Sequence, residues 1–295
     1  MSTSKNLFCT VLTHAAPSSN YRGESEENRT IIQKITKGDH EYAVVSPEAM
    51  RNALRDILAA RELPTNRTRL LDEEQLAVKF KDFPNAEIYA DDFLFGYLVA
   101  DSKEMKKKSK QPAKRDSILR MNMAVALSPY RFDATFHQSP LNAGSSPWKN
   151  STTSALLHRE VSHTAYQYPF ALNLNDCAPK AQWAKALLAA IGELSNVAGS
   201  HARSYFEMAP RSLVARLTPS LVCGFDTYGF DLRGGFADLG RVNEGDLPGK
   251  EFVVAGALAR EMAGDEKKRL EGQGVQFFDS PQTALKHLAT AGLGA

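Results

Sequence analysis

An amphipathic helix with a well-defined start is the feature that most constrains the fold of this chain. Ser46 places a capping hydroxyl, and Pro47 a proline, where a helix would begin. The segment that follows, "EAMRNALRDILAARE", carries apolar residues at helical spacing on one face: Met50, Ala53, Leu54, Ile57 and Leu58. Pro64 ends this pattern. We therefore expect one helix between Ser46 and Pro64.

Strand-like segments and a second helix complete a regular order around this first helix. A second amphipathic helix starts at Pro179 and aligns Trp183, Leu187, Ile191 and Leu194. Segments that suit strands are "NLFCTVLTHA", the pair "TIIQKITKG" and "HEYAVVS", "SILRMNMAVALSPY", "HTAYQYPFALNL" and "SLVARLTPSLVCGF". Reduced to its core, the order is strand, helix, strand, strand, helix, strand. This order predicts an α+β fold of the ferredoxin-like type, which RNA-recognition domains use with an open sheet face.

The remaining segments give less certain patterns. We expect "PSSNYRGESEENR" to be a loop and "LLDEEQLAVKF" to be helical, and "AEIYADDFLFGYLVA" fits either a helix or a strand. Near the end, "EFVVAGALAREMAGDEKKRLE" predicts a helix and "VQFF" a short strand. Ser280 and Pro281 predict the start of a last helix.

The composition indicates a folded protein of the cytoplasm. The chain has 295 residues, 43% of them hydrophobic, and a formal net charge of only +2. Cys9, Cys177 and Cys223 are far apart, which argues against a zinc ribbon or a disulfide scaffold and fits a reducing compartment. The first residues lack the apolar stretch of a signal peptide, and the most apolar windows are too short to span a membrane. We expect a soluble, cytoplasmic protein without a membrane partner.

The sequence offers little support for catalysis. It contains no nucleophile elbow, phosphate-binding loop, zinc-protease helix or calcium loop. His158 and His163 are five residues apart and do not share a face. Asp91 and Asp92 are adjacent, so either regular structure would point them apart, as surface carboxylates or as a helix start. We therefore predict no enzyme activity, no cofactor and no metal site.

Positive charge is concentrated in one run, "KEMKKKSKQPAKR", at residues 103–115. Seven of its thirteen residues are Lys or Arg, and little in it is apolar. The run is either a solvated linker or a loop that contacts phosphates, because repulsion among its lysines is offset when an anion binds. The sequence leaves both interpretations open.

Three other segments combine cations with features that suit nucleic acid. Arg51 and Arg55 are four residues apart on the first helix and form either a phosphate-binding face or a solvated face partnered by Asp56 and Glu48. Residues 131–163 interleave aromatic and cationic residues, as base stacking requires, although the rings could instead anchor the segment to its own core. The members are Phe132, Phe136, Trp148, Arg131, Lys149, His158 and Arg159.

The third segment lies before the last core strand. Gly199 and Ser200 precede His201 and Arg203 and would allow close approach of a phosphate. A glycine helix cap beside an ordinary surface arginine is the alternative. Each basic segment is weak evidence by itself, but together they favour a nucleic-acid partner.

Four motifs resemble one known family. They are "VVSPEAMRNALRD", "DDFLFGYLVA", "SILRMNMAVALSPYRFD" and "NVAGSHARSYFEMAPRSLVARL", and the resemblance extends from about residue 5 to about residue 225. In this order they resemble the backbone subunit of type I CRISPR Cascade complexes, the Cas seven family, in its DevR-like branch of subtype I-B. None of the motifs is a catalytic signature.

The resemblance implies a hand-shaped protein with a ferredoxin-like, RRM-like palm. The palm would comprise residues 5–62, 116–130 and 163–225, the inserted fingers and web residues 63–115, the thumb hairpin residues 131–162, and a C-terminal helical extension residues 246–295. Copies of such subunits stack along a crRNA together with other Cascade subunits and support binding of target DNA. The implied role is a non-catalytic, RNA-binding backbone.

The resemblance also assigns ligands to particular residues. Those expected to contact crRNA are Asn20, Arg22, Lys34, Arg51, Arg55, Trp148, His158, Arg159, His201 and Arg203. Those expected to contact DNA are Lys103, Lys106, Lys107, Lys108, Lys110, Lys114 and Arg115. Related type III subunits cut RNA with a thumb aspartate; Asp133 is the one aspartate here, and we predict no nuclease activity. A DNA-binding transcriptional autoregulator is the alternative function, although no recognition helix is evident.

Overall fold

The computed structural model describes residues 5–19, 21–26, 29–71, 76–99, 112–138, 156–197 and 206–294, and the predicted α+β class is confirmed there. The strands are β1 (Asn6–Thr13), β2 (Ala16–Ser18), β3 (Tyr21–Glu26), β4 (Arg29–Ile32), β5 (Lys34–Lys37), β6 (His40–Val45), β7 (Arg67–Leu71), β8 (Leu76–Phe80), β9 (Tyr97–Leu98), β10 (Lys114–Arg115), β11 (Arg120–Met121), β12 (Ala124–Ala126), β13 (Ala134–Gln138), β14 (Leu156–Glu160), β15 (Ser162–Thr164), β16 (Tyr166–Asn173), β17 (Pro210–Thr218), β18 (Phe252–Gly256) and β19 (Gln276–Phe278). The helices are α1 (Pro47–Ala60), α2 (Ala90–Phe95), α3 (Leu174–Cys177), α4 (Ala181–Ile191), α5 (Leu239–Asn243), α6 (Ala257–Glu261), α7 (Gly264–Gly272) and α8 (Pro281–Leu293).

A large sheet forms the centre of the protein. Its strand order is β19–β18–β17–β1–β16–β12–β6–β5, and β11 also pairs with β16. The four middle strands, β17, β1, β16 and β12, are antiparallel to their neighbours. From β1 the chain passes through β5 and β6 at one edge of the sheet and through α1 before it enters β12, and from β16 it passes through α4 to β17. In the sheet, β16 separates β1 from β12, and β1 separates β16 from β17. This connectivity is that of the split βαβ motif.

One face of the central sheet is covered by helices. Leu7, Cys9 and Val11 of β1 point to this face and are fully buried against the apolar sides of α1, α4 and α8. The start of α1 is as expected, because the Ser46 hydroxyl accepts a hydrogen bond of 3.2 Å from the amide of Ala49.

The opposite face of the central strands is covered as well. Phe225, Phe230 and Phe236 pack in a second apolar cluster against Leu12 and Val214 of the sheet. The backbone carbonyl of Thr227 accepts a hydrogen bond of 2.9 Å from Thr10 Oγ1, which fixes this cover to β1. The sheet face that RNA-recognition domains leave open is therefore covered over the central strands of this protein by residues 223–247.

A smaller sheet stands beside the central one and joins distant parts of the chain. Its order is β13–β14–β4–β3, in which β14 and β4 are parallel. We call it the second sheet. Strands β3 and β4 come from residues 21–32, in and next to the loop predicted after β1. Strands β13 and β14 come from the segment predicted as a thumb. These two distant segments therefore pair in one sheet.

Several local predictions are wrong. The expected loop at residues 17–29 contains β3. In place of the expected helix at residues 70–80, the described residues belong to two antiparallel strands, in which Arg67 of β7 lies opposite Phe80 of β8. The expected helix over residues 251–271 starts instead as β18, because its apolar residues are buried between two neighbouring strands. An apolar run of that length fits either structure. Only α6 and α7 of that segment are helical.

The segment left undecided, "AEIYADDFLFGYLVA", is helical only over α2. Gly96 ends α2 at a φ of 65°, and a Cβ there would collide with the carbonyl oxygen of Arg115. The last helix, α8, begins at Pro281 and is capped by Ser280 as expected. Within the described ranges, every helix is too short or too polar to cross a bilayer.

Candidate nucleic-acid interface

One face of the second sheet exposes aromatic rings beside cationic side chains. Phe136 and His158 are cross-strand partners with ring centroids 5.2 Å apart at 77°. His158 is in turn the register partner of Arg29 on β4, whose guanidinium carbon lies 5.3 Å from the ring centre of Phe132. Phe132 and Phe136 are 61% and 55% exposed. We call Arg29, Phe132, Phe136 and His158 the aromatic face.

Such a surface has the chemistry that single-stranded nucleic acid requires. Exposed rings stack on bases of any sequence, and an adjacent guanidinium binds phosphate or stacks on a base. The alternative, that the rings of this segment anchor it to its own core, does not hold for Phe132 and Phe136, since both are largely exposed. Trp148 lies outside the described residues.

The predicted residues near this sheet do not all meet. Arg159 follows His158 along β14 and therefore points to the opposite face of the sheet. Lys34 is only 17% exposed, and its ammonium lies 3.4 Å from the carboxylate of Glu160 and 4.2 Å from the ring centre of Tyr130. Arg22 lies in β3, but its side chain is not among those described; Asn20 is outside the described residues.

The two arginines of α1 have different surroundings. Arg55 is only 7% exposed; its Nη1 donates to Asn52 Oδ1 at 2.7 Å, and its guanidinium lies 4.8 Å from the ring centre of Phe95. The expectation that both arginines project from one accessible face is therefore wrong for Arg55. Its pKa is lowered to about 10, chiefly by burial and then by Arg67, while Asp91 acts in the opposite direction. Arg55 thus stays charged at neutral pH and needs its buried partners.

Asp91 and Asp92 are buried. Of the two expectations for this pair, the surface position is therefore wrong, and the helix start is confirmed. Both carboxylates accept hydrogen bonds beside the start of β7. Asp91 accepts from the amides of Asn66 and Arg67 at 2.8 and 3.0 Å, and Asp92 accepts from Asn66 Nδ2 at 2.8 Å. Desolvation raises the pKa of Asp92. These carboxylates hold structure together instead of facing a ligand.

Arg51 belongs to a cluster of arginines that sequence reasoning missed in part. It donates to the carbonyl of Leu119 at 3.4 Å and lies 4.0 Å from the exposed carboxylate of Glu48. Burial lowers the pKa of Arg51, Glu48 raises it, and the nearby charges of Arg120 and Arg67 lower it. We call Arg51, Arg67 and Arg120 the arginine cluster. Arg67 and Arg120 come from β7 and β11, so no spacing in the sequence links them to Arg51.

The arginine cluster has an excess of positive charge. Among the described residues, neither Arg67 nor Arg120 forms an ion pair, and Arg120 is exposed. The Nε of Arg51 is buried without an acceptor within the same part of the chain. The three guanidinium groups favour the binding of an anion such as a phosphate, while Glu48, Asp91 and Asp92 offset part of their charge.

The other predicted residues are only partly described. Lys114 is exposed on β10, whereas Arg115 is half-buried, with its guanidinium carbon 5.3 Å from the ring centre of Phe93. The remaining predicted residues lie outside the described part of the chain: Lys103, Lys106, Lys107, Lys108, Lys110, His201 and Arg203.

A groove of about 1010 Å³ separates β5, β6 and β12 from the loop at residues 226–233. Lys37 and Arg233 line it together with Asp226 and Asp231, so its charges balance. Such a groove is a poor track for phosphates. In the part of the chain that the structure describes, no group of three metal-binding side chains comes together.

Comparison with known proteins identifies the family. No family model matches the chain. Over 287 residues, however, it is 31% identical to "CRISPR-associated protein Cas7/Cst2/DevR" of Myxococcus xanthus (strain DK1622). The matched region covers 91% of this chain and 92% of that protein. The chain belongs to the Cas7/Cst2/DevR family. The family predicted from the motifs is thereby confirmed.

Almost the whole chain shares its fold with chains of solved CRISPR surveillance complexes. A chain of a "CRISPR RNA-guided surveillance complex, pre-nicking" matches with a TM-score of 0.63 at 12% identity, over 97% of this chain and 100% of that one. A chain of another "CRISPR RNA-guided surveillance complex" matches with a TM-score of 0.58 at 13% identity, over 97% and 99%. At such identities the likeness establishes the fold alone.

Proposed function

We propose that this protein is a backbone subunit of a CRISPR surveillance complex and binds the guide RNA. The observation that carries the proposal is the aromatic face, where Phe132, Phe136 and His158 lie exposed beside Arg29. Membership of the Cas7/Cst2/DevR family and the likeness to subunits of RNA-guided complexes support the same role. Stacking and phosphate contact would bind RNA with little regard to its sequence, as guide RNAs with different spacers require.

The aromatic face and the arginine cluster would bind different parts of the RNA. The aromatic face would hold bases, and the arginine cluster would hold the RNA backbone, with Arg51 as the predicted residue that the structure leaves accessible. Arg22, Asn20, Trp148, Arg159, His201 and Arg203 remain predicted RNA contacts. Arg55 and Lys34 are less suited to direct contact, because their side chains are only 8% and 17% exposed.

We further propose that the complex binds target DNA and that the chain contributes through the 103–115 run. The run contains seven cations, and its described residues, 112–115, include the exposed Lys114. Replacing Lys106, Lys107, Lys108 and Lys110 by Gln should weaken target-DNA binding and reduce its salt dependence. An unchanged salt dependence would refute this role.

The finer assignments from the sequence remain proposals. They are an RRM-like palm, fingers at residues 63–115, a thumb at residues 131–162, subtype I-B, self-assembly along the RNA with other Cascade subunits, and the lack of catalysis. The split βαβ connectivity supports the palm, and the hairpin of β13 and β14 supports the thumb.

The proposed function has a direct test. The protein is co-expressed with its genomic neighbours, and the nucleic acid that co-purifies is sequenced. We expect short RNAs with shared repeat ends and varied spacers. Duplex DNA from one promoter would instead favour the transcriptional regulator, and the absence of nucleic acid would contradict both roles.

A double substitution tests the aromatic face directly. Replacing Phe132 and Phe136 by Ala should strongly reduce the RNA that co-purifies, because two stacking rings are lost. Ile88→Ala with Leu98→Ala is the matched control, since it truncates two exposed apolar side chains outside the aromatic face. Equal RNA content in both variants would remove the aromatic face from the proposal.

A further inference from the structure

A buried carboxylate lies beside the aromatic face, because Glu160 comes two residues after His158 on β14 and shares its face. The Glu160 side chain ends β14 and is almost completely buried. Its Oε1 lies 3.6 Å from Arg29 Nε, and its Oε2 lies 3.4 Å from Lys34 Nζ. Oε2 also accepts a hydrogen bond of 3.1 Å from the amide of Ile32. One carboxylate therefore meets two cations and a backbone donor, which is the kind of pairing that a buried charge requires.

Aromatic rings contact the same two cations. The Lys34 ammonium lies 4.2 Å from the ring centre of Tyr130, and the Arg29 guanidinium lies 5.3 Å from that of Phe132. Each cation thus contacts both Glu160 and a ring. Lys34 is largely covered in this arrangement, whereas the Arg29 side chain remains 37% exposed.

We propose that Arg29 is a further nucleic-acid contact of this protein and that Glu160 is the residue that positions it. The inference rests on the proposed function. Arg29 is in register with His158 on the aromatic face, so a base stacked there would lie within reach of a planar guanidinium. The ligand is single-stranded RNA, contacted by stacking and through its phosphodiester oxygens.

Positioning matters because a free arginine side chain loses conformational freedom when it binds. A guanidinium already fixed by Glu160 and Phe132 has lost much of that freedom before the RNA arrives, which favours affinity. A second consequence distinguishes this role from plain electrostatics. A carboxylate near a polyanion should weaken binding by repulsion, and its removal should then strengthen binding. The positioning role predicts the opposite sign.

The first experiment measures binding of a fluorescein-labelled single-stranded RNA to the full chain by anisotropy. Glu160→Gln keeps the shape and an oxygen that can accept from the Ile32 amide, but it removes the charge. We expect the Kd to rise about fivefold, the effect of having to order one long side chain on binding. The control, Glu41→Gln, removes an exposed carboxylate from β6 and should leave the Kd unchanged or lower it. A Glu160→Gln variant that binds as tightly as this control overturns the inference.

The second experiment separates positioning from a structural effect. An RNA carrying 2-aminopurine reports stacking through quenching of its fluorescence. At saturating protein, Glu160→Gln and Arg29→Gln should both show less quenching than wild type, and the double variant should add little to either. Full quenching at saturation in both single variants would overturn the inference.

A third variant does not depend on the buried site. Arg29→Lys keeps the charge of a partly exposed residue but loses the planar fork, and we expect weaker binding with an unchanged melting temperature. Wild-type affinity in this variant also overturns the inference. If the wild-type protein binds no RNA, the proposed function fails together with it, whereas equal binding of the two glutamate variants refutes the inference alone.

Discussion

The Nε atom of Arg55 lies 3.7 Å from Oδ2 of Asp91, and the same oxygen accepts the backbone amide of Arg67. This one carboxylate therefore ties α1 to the first residue of β7. It also keeps Arg55 inside the protein, while Arg51, one helical turn earlier, stays partly accessible. Two arginines at helical spacing thus have separate roles, one structural and one available to a ligand.

The first prediction compares these two arginines. Arg55→Ala should lower the free energy of unfolding by about 3 to 5 kcal/mol, because it leaves Asp91 buried without its cation. Arg51→Ala should cost less, about 1 kcal/mol, because its partner Glu48 is exposed and lies 4.0 Å away, but it should weaken RNA binding. Urea unfolding and RNA titration of both variants check this. Equal stability of the two variants would contradict the assigned roles.

The second prediction concerns pH. Because desolvation raises the pKa of Asp92, the folded protein holds its proton more tightly than the unfolded chain. The contribution of Asp92 to stability is then fully present below the ordinary carboxyl pKa and is lost as pH rises to the raised pKa. Asp92→Asn should remove this component, so that the difference in unfolding free energy between variant and wild type changes across that pH interval. Urea unfolding at a series of acidic pH values measures it, and a difference independent of pH would contradict it.

The third prediction addresses the arginine cluster. Arg67→Gln and Arg120→Gln should each weaken RNA binding and each reduce the salt slope of log K by about 0.7, the value for one phosphate contact on a single strand. Arg269→Gln is the matched control, because Arg269 is exposed on α7 and removes the same charge. Titrations at several salt concentrations decide the matter. Slopes that match the control would show that the cluster does not contact phosphates.

The fourth prediction concerns Gly96. Gly96→Ala combines a positive φ with a collision against the Arg115 carbonyl, so it should destabilise the protein by about 1 to 3 kcal/mol. Gly264→Ala is the control, because nothing lies near its missing Cβ and its φ is not positive. Thermal unfolding compares the two. A Gly96→Ala variant as stable as the control would refute the close approach of β10 to Gly96.

The fifth prediction is that Asp133 is not a nuclease residue. Its Oδ1 accepts the amide of Ala134 at 2.8 Å, and its carbonyl accepts the amide of Val161 at 2.9 Å, so its contacts are those of a strand end. Asp133→Ala should leave target RNA intact in an assay of the complex, as wild type should. RNA cleavage by wild type that is lost in this variant would contradict the prediction.

Local sequence signals predict the elements that short-range patterns determine. The Ser46 cap, Pro47 and the apolar face of α1 lie within a few turns, and the order of the core elements follows from similar patterns. The sequence predicts a helix where the structure has β18, because a short buried apolar run fits both structures. What made it a strand is its pairing with β17 and β19, which only the tertiary fold supplies.

The candidate site was predictable in its composition but not in its geometry. The mixture of aromatic and cationic residues in residues 131–163 pointed to base stacking, and Phe132, Phe136 and His158 do lie exposed together. Arg29 was missed because its partner strand, β14, is remote in sequence. Helical spacing does not predict the burial of Arg55 either, because its partner Asp91 belongs to a different helix, α2.

The parallel pairing of β14 with β4 also determines when the second sheet can form during synthesis of the chain. The hydrogen bond from Ile32 to Glu160 closes a loop of 128 residues, and such distant contacts form late. During synthesis, residues 21–32 leave the ribosome long before the strand that completes their sheet. The aromatic face does not exist until Glu160 has emerged, so a guide RNA can dock only on a chain whose first half has already been made.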